Sequence, residues 1–311
     1  MEIVKQGNEN IINNKSGLVY IIILVFNGKK WLKNCINSVL ATNYNNYRIL
    51  IIDNASQDGS AEYVKQNYPQ IELIQNSKNY GFAEGNNIGI RYTLRQGSDY
   101  VVLLNQDTKV DPDWIKNLVQ IVEKDKTIGI LGPIQYDYEG EDINNKFIDL
   151  LNTSKQFREN RNNKPLEELY EVDRVIGAAM LMTRNVLETV GFFDPLYFSY
   201  WEESDLCRRA VYHKFKIFVV TTSKIFHWDD RGHSIPEIKY IYIRNHFLYF
   251  LKDPNKIFIK NIYAYFKWGS KAIISSGPVK NWKYFLEILW IHIWILFHLP
   301  YIIFRQYKDR K

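Results

Sequence analysis

An α/β fold of parallel strands joined by crossover helices, continued by a helical C-terminal region, is what this 311-residue sequence predicts. Three observations carry the prediction. From Leu18 onward short β-branched or apolar runs alternate with stretches of helical periodicity, the pattern of strand and crossover helix in turn. Polar residues cluster just past the apolar runs, where an open α/β sheet gathers its ligands. After residue 235 the alternation gives way to long helical stretches rich in basic and aromatic residues.

The run LVYIIILVF (18–26) reads as a buried first strand, and residues 28–41 follow as a helix with Trp31, Leu32, Cys35, Ile36, Val39 and Leu40 on one stripe. RILIID (48–53) is the second strand, a helix spans 60–67, and IELIQ (71–75) is the third strand. A helix continues over Asn86–Arg95, DYVVLLN (99–105) is the fourth strand, and Pro112 suits the first turn of the next helix. These elements make a doubly wound half-domain. The polar stretch 136–171 reads as an excursion between strands, a variable flap. RVIGAAMLMTR (174–184) returns to strand character, GFFDP marks a turn, and residues 201–214 form a helix with an acidic start. KIFVV and KIFHW supply two more short strands.

Composition narrows the function classes. Hydrophobic residues at 46% and charged residues at 24% exclude global disorder, and two cysteines, Cys35 and Cys207, exclude a disulfide scaffold. Both read as buried thiols in a reducing cytosolic setting, and the polar N-terminus lacks the order of a signal peptide. The net charge of +6 is not spread evenly: residues 1–235 hold 27 Lys and Arg against 30 Asp and Glu, whereas 236–311 hold 13 against 4. That segment also carries 19 of the 47 aromatic residues, a mixture that fits a membrane surface better than a nucleic acid.

The residues suited to chemistry lie past the strands. Phe26 and Asn27 follow the first, Asp53 and Asn54 the second, and Asn105, Gln106 and Asp107 the fourth. Asp53 could accept from a base or ribose edge, although DNASQDGS is equally good as a plain turn. NYGFAEGNNIG (79–89) has glycines spaced G-x₃-G-x₃-G, which is not the GxGxxG dinucleotide fingerprint, and either a diphosphate approach or a loop-to-helix turn explains it. Asp107 offers a hard oxygen to Mg²⁺ or Mn²⁺, whose remaining positions phosphates and water can fill. Trp201-Glu202-Glu203-Ser204-Asp205 places three carboxylates in one helical turn after an aromatic run, giving either a general base or complementation of the helix dipole. His227, alone in KIFHW, is as readily a structural residue as a ligand.

Taken in order, VFNG, IDNAS, GFAEGNN, NQDT and WEESDLCRR followed by a histidine resemble the inverting family 2 glycosyltransferases of the GT-A fold, over roughly residues 17–233. GFAEGNN is most similar to the rhamnosyltransferase-like branch that builds cell-surface polysaccharides. The resemblance implies a GT-A-type, Rossmann-like mixed sheet flanked by helices. It further implies that Phe26, Asn27, Asp53, Asn54, Gly85, Asn86, Asn87, Asn105, Gln106 and Asp107 bind the nucleotide-sugar, that Asp107 and His227 hold Mg²⁺ or Mn²⁺, and that Glu203 is the base. Trp201, Glu202 and Asp205 would then serve the acceptor side or the structure. Two positions depart from the family pattern: Asn105 replaces the first Asp of DxD, and Glu203 stands where Asp is commoner.

Past Gly232 helices are expected over 236–251, 257–274 and 282–304, the last holding 17 residues, ILWIHIWILFHLPYIIF (288–304), without a formal charge. Two histidines, Pro300 and the short run favour an in-plane or re-entrant helix over a full span, with packing against the catalytic domain as the alternative. The expected organisation is a polar tail (1–16), a GT-A domain (17–233) and a helical region (234–311). The expected activity is metal-dependent inverting transfer of a sugar such as rhamnose from a nucleotide diphosphate to a glycan or polyprenyl-linked acceptor at the cytoplasmic membrane face, with a homodimer among the allowed assemblies. A sugar-phosphate nucleotidyltransferase and a non-catalytic membrane-bound glycan-binding protein are the alternatives. VFNGKKW supports the first only faintly.

Overall fold

The computed structural model describes residues 16–160, 165–228, 236–263, 265, 267 and 282–310. Residues 1–15 of the expected tail, the boundary placed at 233 and much of the helix expected over 257–274 lie outside the described residues. The core is one mixed nine-stranded sheet. Strands β1 (Val19–Val25), β2 (Tyr47–Asp53), β3 (Glu72–Gln75) and β4 (Tyr100–Asn105) are parallel. Antiparallel β8 (Ala179–Thr183) joins β4 to β6 (Ile128–Tyr136), and β6 runs parallel to β9 (Lys216–His227). The short strands β5 (Thr108–Val110) and β7 (Leu169–Glu171) pair with β9.

The two-residue repeat of β1 divides the core into two layers. Val19, Ile21, Ile23 and Val25 face α1 (Lys29–Leu40), α2 (Ser60–Asn67) and α4 (Trp114–Lys124), through Leu32, Ile36, Val64, Trp114 and Leu118. Tyr20 and Ile22 face α3 (Gly81–Arg95), α5 (Asn145–Leu151), α7 (Arg184–Val190) and α8 (Glu202–Tyr212), through Ile90, Leu150, Leu187 and Leu206. Both faces being covered, β1 can be apolar along its whole length. Cys35 and Cys207 are buried free thiols, as expected, and burial is the main reason both are pushed up to about 12.

Five local expectations are corrected. Helix α3 starts at Gly81 rather than Asn86, because Gly85 and Gly89 lie inside it. A Cβ on Gly85 would stand 2.7 Å from Leu24 and one on Gly89 3.0 Å from Ile22, so the glycines let α3 lie close on the sheet. Pro112 lies before α4, one residue ahead of its cap Asp113. The strand expected over 174–184 is confined to Ala179–Thr183. KIFVV and KIFHW are halves of one strand, β9, whose register on β6 shifts between Pro133 and Ile134. The polar excursion carries α5, a short α6 (Lys155–Asn160) and β7, with Phe147, Leu150 and Leu151 buried.

The C-terminal region packs on the sheet domain. Helix α9 (Pro236–Lys252) lies against α8 and α10 (Trp282–Lys308). Leu248, Leu251, Ile288, Ile291, Ile295 and Ile302 close a third core around Tyr197. Among the described residues α10 is the one helix long and apolar enough to cross a membrane.

Candidate active site

The carboxyl ends of β1, β2 and β4 open into a cleft of about 250 Å³, where the sequence reading places its ligands. Phe26, Asn54, Asn105, Gln106 and Asp107 line it, together with Asn79, Gly81 and Phe82 from the start of the 79–89 stretch and with Phe198 and Ser199, none of which was among the expected ligands. Gln106 ties two strand ends together. Its Oε1 accepts from the Phe26 amide (3.0 Å) and its Nε2 donates to the Phe26 carbonyl (3.2 Å), leaving the half-exposed Phe26 ring at the cleft edge.

Several expected ligands are held by protein contacts, Asn54 while also lining the cleft. Asn27 adopts a left-handed φ of 49°, donates its amide to Ser56 Oγ (3.0 Å) and accepts from the Gln57 amide (2.8 Å). Asn54 is buried, donating to Asn79 and the Gly81 carbonyl and accepting from Asn76 and the Tyr80 amide. Asn86 bonds back to Phe82 in its own helix. Asn87 brackets both backbone groups of Phe193, 106 residues away. Gly85 is fixed by its approach to Leu24. These five polar or small positions are thus held by protein contacts, whereas Asp53 keeps one buried oxygen, Oδ1, without a hydrogen bond.

Just past Gln106, β5 pairs with β9 so that Thr108 lies opposite His227, which brings Asp107 and His227 together. Asp107 Oδ1 is buried without a hydrogen bond and lies 3.3 Å from His227 Nε2, an approach that becomes an ion pair only when the imidazole is protonated. Asn105 Nδ2 is 3.4 Å from the same nitrogen. On the other side Gln135, absent from the sequence reading, places its amide nitrogen 3.1 Å from His227 Nδ1, while its Oε1 is buried and unpartnered. With the amide turned over, Oε1 would accept the Nδ1 proton and leave the Nε2 lone pair toward Asp107. No set of three or more His, Cys, Asp or Glu able to hold a metal occurs among the described residues. One carboxylate and one imidazole nevertheless fit a divalent cation that takes its other ligands from a diphosphate and water, and the orphaned Asp107 oxygen is the atom such an ion would satisfy. Beside them Trp228 and Trp31 pack with ring centroids 5.1 Å apart, and Tyr138 lies 5.8 Å from each.

The acidic helix α8 begins just after the Phe198–Trp201 loop, whose first two residues close the cleft. Asp205 is structural: it receives Arg209 (2.9 Å), Lys252 (3.0 Å) and the Tyr197 hydroxyl (3.0 Å). Burial opposes its ionisation, but Lys252 and Arg209 outweigh that and hold its carboxyl well below the usual range. Glu202 and Glu203 are the opposite case. Each has a buried Oε2 without a hydrogen bond, and desolvation raises both, Glu202 the more because Glu203 adds its charge. Trp201 stacks on His246 (4.7 Å) and Tyr249 (5.0 Å) of α9.

The sequence profile of Glycosyl transferase family 2 matches residues 20–191, which covers β1 through α7 and every strand end of the cleft. The chain belongs to that family. This glycosyltransferase is 26% identical over 270 residues to the low-salt glycan biosynthesis hexosyltransferase Agl10 of Haloferax volcanii, covering 83% of this chain and 81% of that one. It is 23% identical over 250 residues to the dTDP-rhamnosyl transferase RfbF of Shigella flexneri, covering 76% and 80%. Among solved structures it shares the GT-A fold with the mannosyltransferase PcManGT of Pyrobaculum calidifontis in complex with GDP-Man and Mn²⁺. That match has a TM-score of 0.56 at 14% identity and covers 95% of this chain and 74% of the other.

Proposed function

We propose that the protein transfers a hexose, in the manner of a rhamnosyltransferase, from a nucleotide-diphosphate donor to a glycan or polyprenyl-linked acceptor, with inversion at the anomeric carbon and with Mg²⁺ or Mn²⁺. The observation that carries this reading is that Asp107, paired with His227, lines the strand-end cleft together with Phe198 and Ser199, and that the loop these two residues begin leads directly into the first turn of α8, where Glu203 keeps a buried Oε2 without a hydrogen bond. Inverting transfer is one in-line displacement, so a base and a charge-stabilising group must work on opposite sides of the reacting carbon. Glu203, raised by burial, takes the acceptor hydroxyl proton. Phe26 borders the nucleotide, and Asp53 offers Oδ1 to it. Asp107 and His227 would hold the divalent cation, whose bound charge offsets the negative charge that develops on the departing diphosphate. The fold's likeness to a transferase solved with GDP-Man and Mn²⁺, and the names of the two relatives, support the donor and metal class. Family membership sets aside the nucleotidyltransferase alternative.

A panel of nucleotide sugars assayed with Mn²⁺ and then with chelator tests the reading. Release of nucleoside diphosphate from one donor, abolished by chelator, is expected. Asp107→Ala, which removes a direct ligand, should lower Mn²⁺ affinity by at least the roughly 10- to 100-fold that losing an outer-shell partner costs, and abolish turnover. Its melting temperature should stay near wild type, since the side chain makes no hydrogen bond that the fold relies on. Full activity of that variant in excess chelator would sink the metal assignment.

The catalytic domain would work at the cytoplasmic membrane face with α10 lying in the interface. Its inner face is buried on α9 and the domain, and its outer face exposes Trp290, Ile293, Phe297 and Phe304, with Phe297 at 82%. Tyr301 reaches Asp194 (2.9 Å), which suits a helix lying along the protein better than one surrounded by lipid. Ile293→Asp with Phe297→Asp should abolish co-sedimentation with anionic vesicles while transfer to a soluble acceptor persists. Undiminished vesicle binding would contradict it.

A further inference from the structure

The loop between the cleft and the acidic helix is held by a residue outside both. Phe198, Tyr200 and Trp201 have φ of 62°, 70° and 74°, a left-handed region that side chains other than glycine adopt only at a cost and that surrounding contacts must enforce. The enforcement comes from α9. Asn245, fully buried, directs Nδ2 at the carbonyl oxygens of Tyr197 (2.7 Å), Ser199 (2.7 Å) and Tyr200 (2.9 Å). Its Oδ1 accepts from Arg244 Nη2 (2.7 Å), which also donates to the Tyr197 carbonyl (3.1 Å) and lies over Trp294 of α10. One end of the loop is fixed to the donor side. The Phe198 carbonyl accepts from Ala83 of α3 (3.1 Å), and Gly81, at φ 77°, leaves the space that Phe198 fills. The other end carries Glu202 and Glu203 as the first turn of α8.

We propose that Asn245, oriented by Arg244, is a positioning residue for the transfer step: its amide holds the 197–201 loop in its left-handed path and thereby sets the acidic turn against the donor cleft. The proposal rests on the inverting-transfer reading above. It also makes α9, and through Arg244 and Trp294 the helix α10, part of the catalytic apparatus rather than an appendage. A mere tether would hold α9 on the domain with no demand on the loop. A positioning clamp ties the loop's conformation and the rate of the chemical step to the same amide.

The test compares the full-length wild type with Asn245→Ala, Asn245→Asp and Arg244→Lys, and uses Ile302→Ala as a control that loosens the C-terminal core around Tyr197 without removing any hydrogen bond to the loop. Asn245→Ala is expected to lower kcat per folded molecule by roughly 10- to 100-fold with the donor KM within about 3-fold of wild type, because misplacement acts on the transition state. Asn245→Asp, nearly isosteric but facing three carbonyl oxygens with a carboxylate, should lose more. Arg244→Lys, which gives up the guanidinium fork, should lose less. A crystal structure of Asn245→Ala should show residues 198–201 leaving the left-handed region. Should the alanine variant not fold, the lysine variant carries both readouts. Unchanged kcat per folded molecule, matching Ile302→Ala, would overturn the proposal, and so would an unaltered loop. A wild type that transfers from no donor would refute the functional reading instead, and the loop structure alone would then decide whether Asn245 is the clamp.

Discussion

Glu203→Gln is expected to lower kcat by about 10²–10⁴-fold while the donor KM stays near wild type, because loss of a general base acts on the transition state and not on nucleotide affinity. Its environment argues for the assignment over its neighbours. Asp205 already holds Arg209 and Lys252, so Asp205→Asn should show first as lost stability. Glu202 is raised well above its ordinary value by burial and by Glu203, so an amide mimics the neutral carboxyl and Glu202→Gln should retain turnover. The sign of the pH dependence follows. A base must be deprotonated to act, and burial raises Glu203 above 4.5, so kcat should climb with pH along a limb centred above that value, and the limb should vanish in Glu203→Gln. Near-normal turnover of Glu203→Gln beside an inactive, folded Glu202→Gln would move the base by one residue.

Lys252→Met is expected to cost about 3–5 kcal/mol of stability, the typical penalty for removing one partner from a buried ion pair. Lys252 is buried between Asp194 (2.6 Å) and Asp205 (3.0 Å), and Asp194 also receives Tyr301 of α10. Methionine fills the volume but leaves two buried carboxylates short of a cation. Both carboxyls are depressed in the folded protein despite burial, chiefly by Lys252. The stability they contribute is therefore fully present above their ordinary value of 3.8 and is lost as pH falls below it. Urea unfolding near neutral pH checks the prediction, and a loss under about 1 kcal/mol would mean the remaining partners, Arg209, Tyr197 and Tyr301, suffice. Truncation before α9 would remove the same cation, so the C-terminal helices are not separable from the domain by deletion.

What the sequence made legible was whatever depends on short-range pattern. Helix 60–67 and the strands through β4 are visible because apolar runs and turn residues alternate within a few positions. The merged strand β9 was hidden because Thr221, Thr222 and Ser223 read as a break, whereas the chain there changes partners, from β7 to β5, without leaving the sheet. Strand β5, three residues long, has too little pattern to detect. In the site, Asp107 is legible from its place just past β4, the family resemblance adds His227 as its metal partner, and their meeting is a product of β5 pairing with β9. Gln135, Lys252 and Asn245 were not legible. A glutamine in a strand or a lysine in a helix reads as solvent-facing until the fold places it 92, 58 or 45 residues from its own segment against His227, Asp194 or Tyr200. The asparagines of GFAEGNN show the converse, since their motif is read easily while their bonds to Phe82 and Phe193 belong to packing.

The anomeric configuration of the product is the most direct measurement of the central claim. Proton NMR of the glycoside formed by the wild-type enzyme from an accepted nucleotide-diphosphate sugar and Mn²⁺ should show inversion relative to the donor, as a single displacement assisted by one base requires. Retention of configuration would contradict the account, because it would demand a second displacement or a covalent glycosyl intermediate in place of proton removal by Glu203.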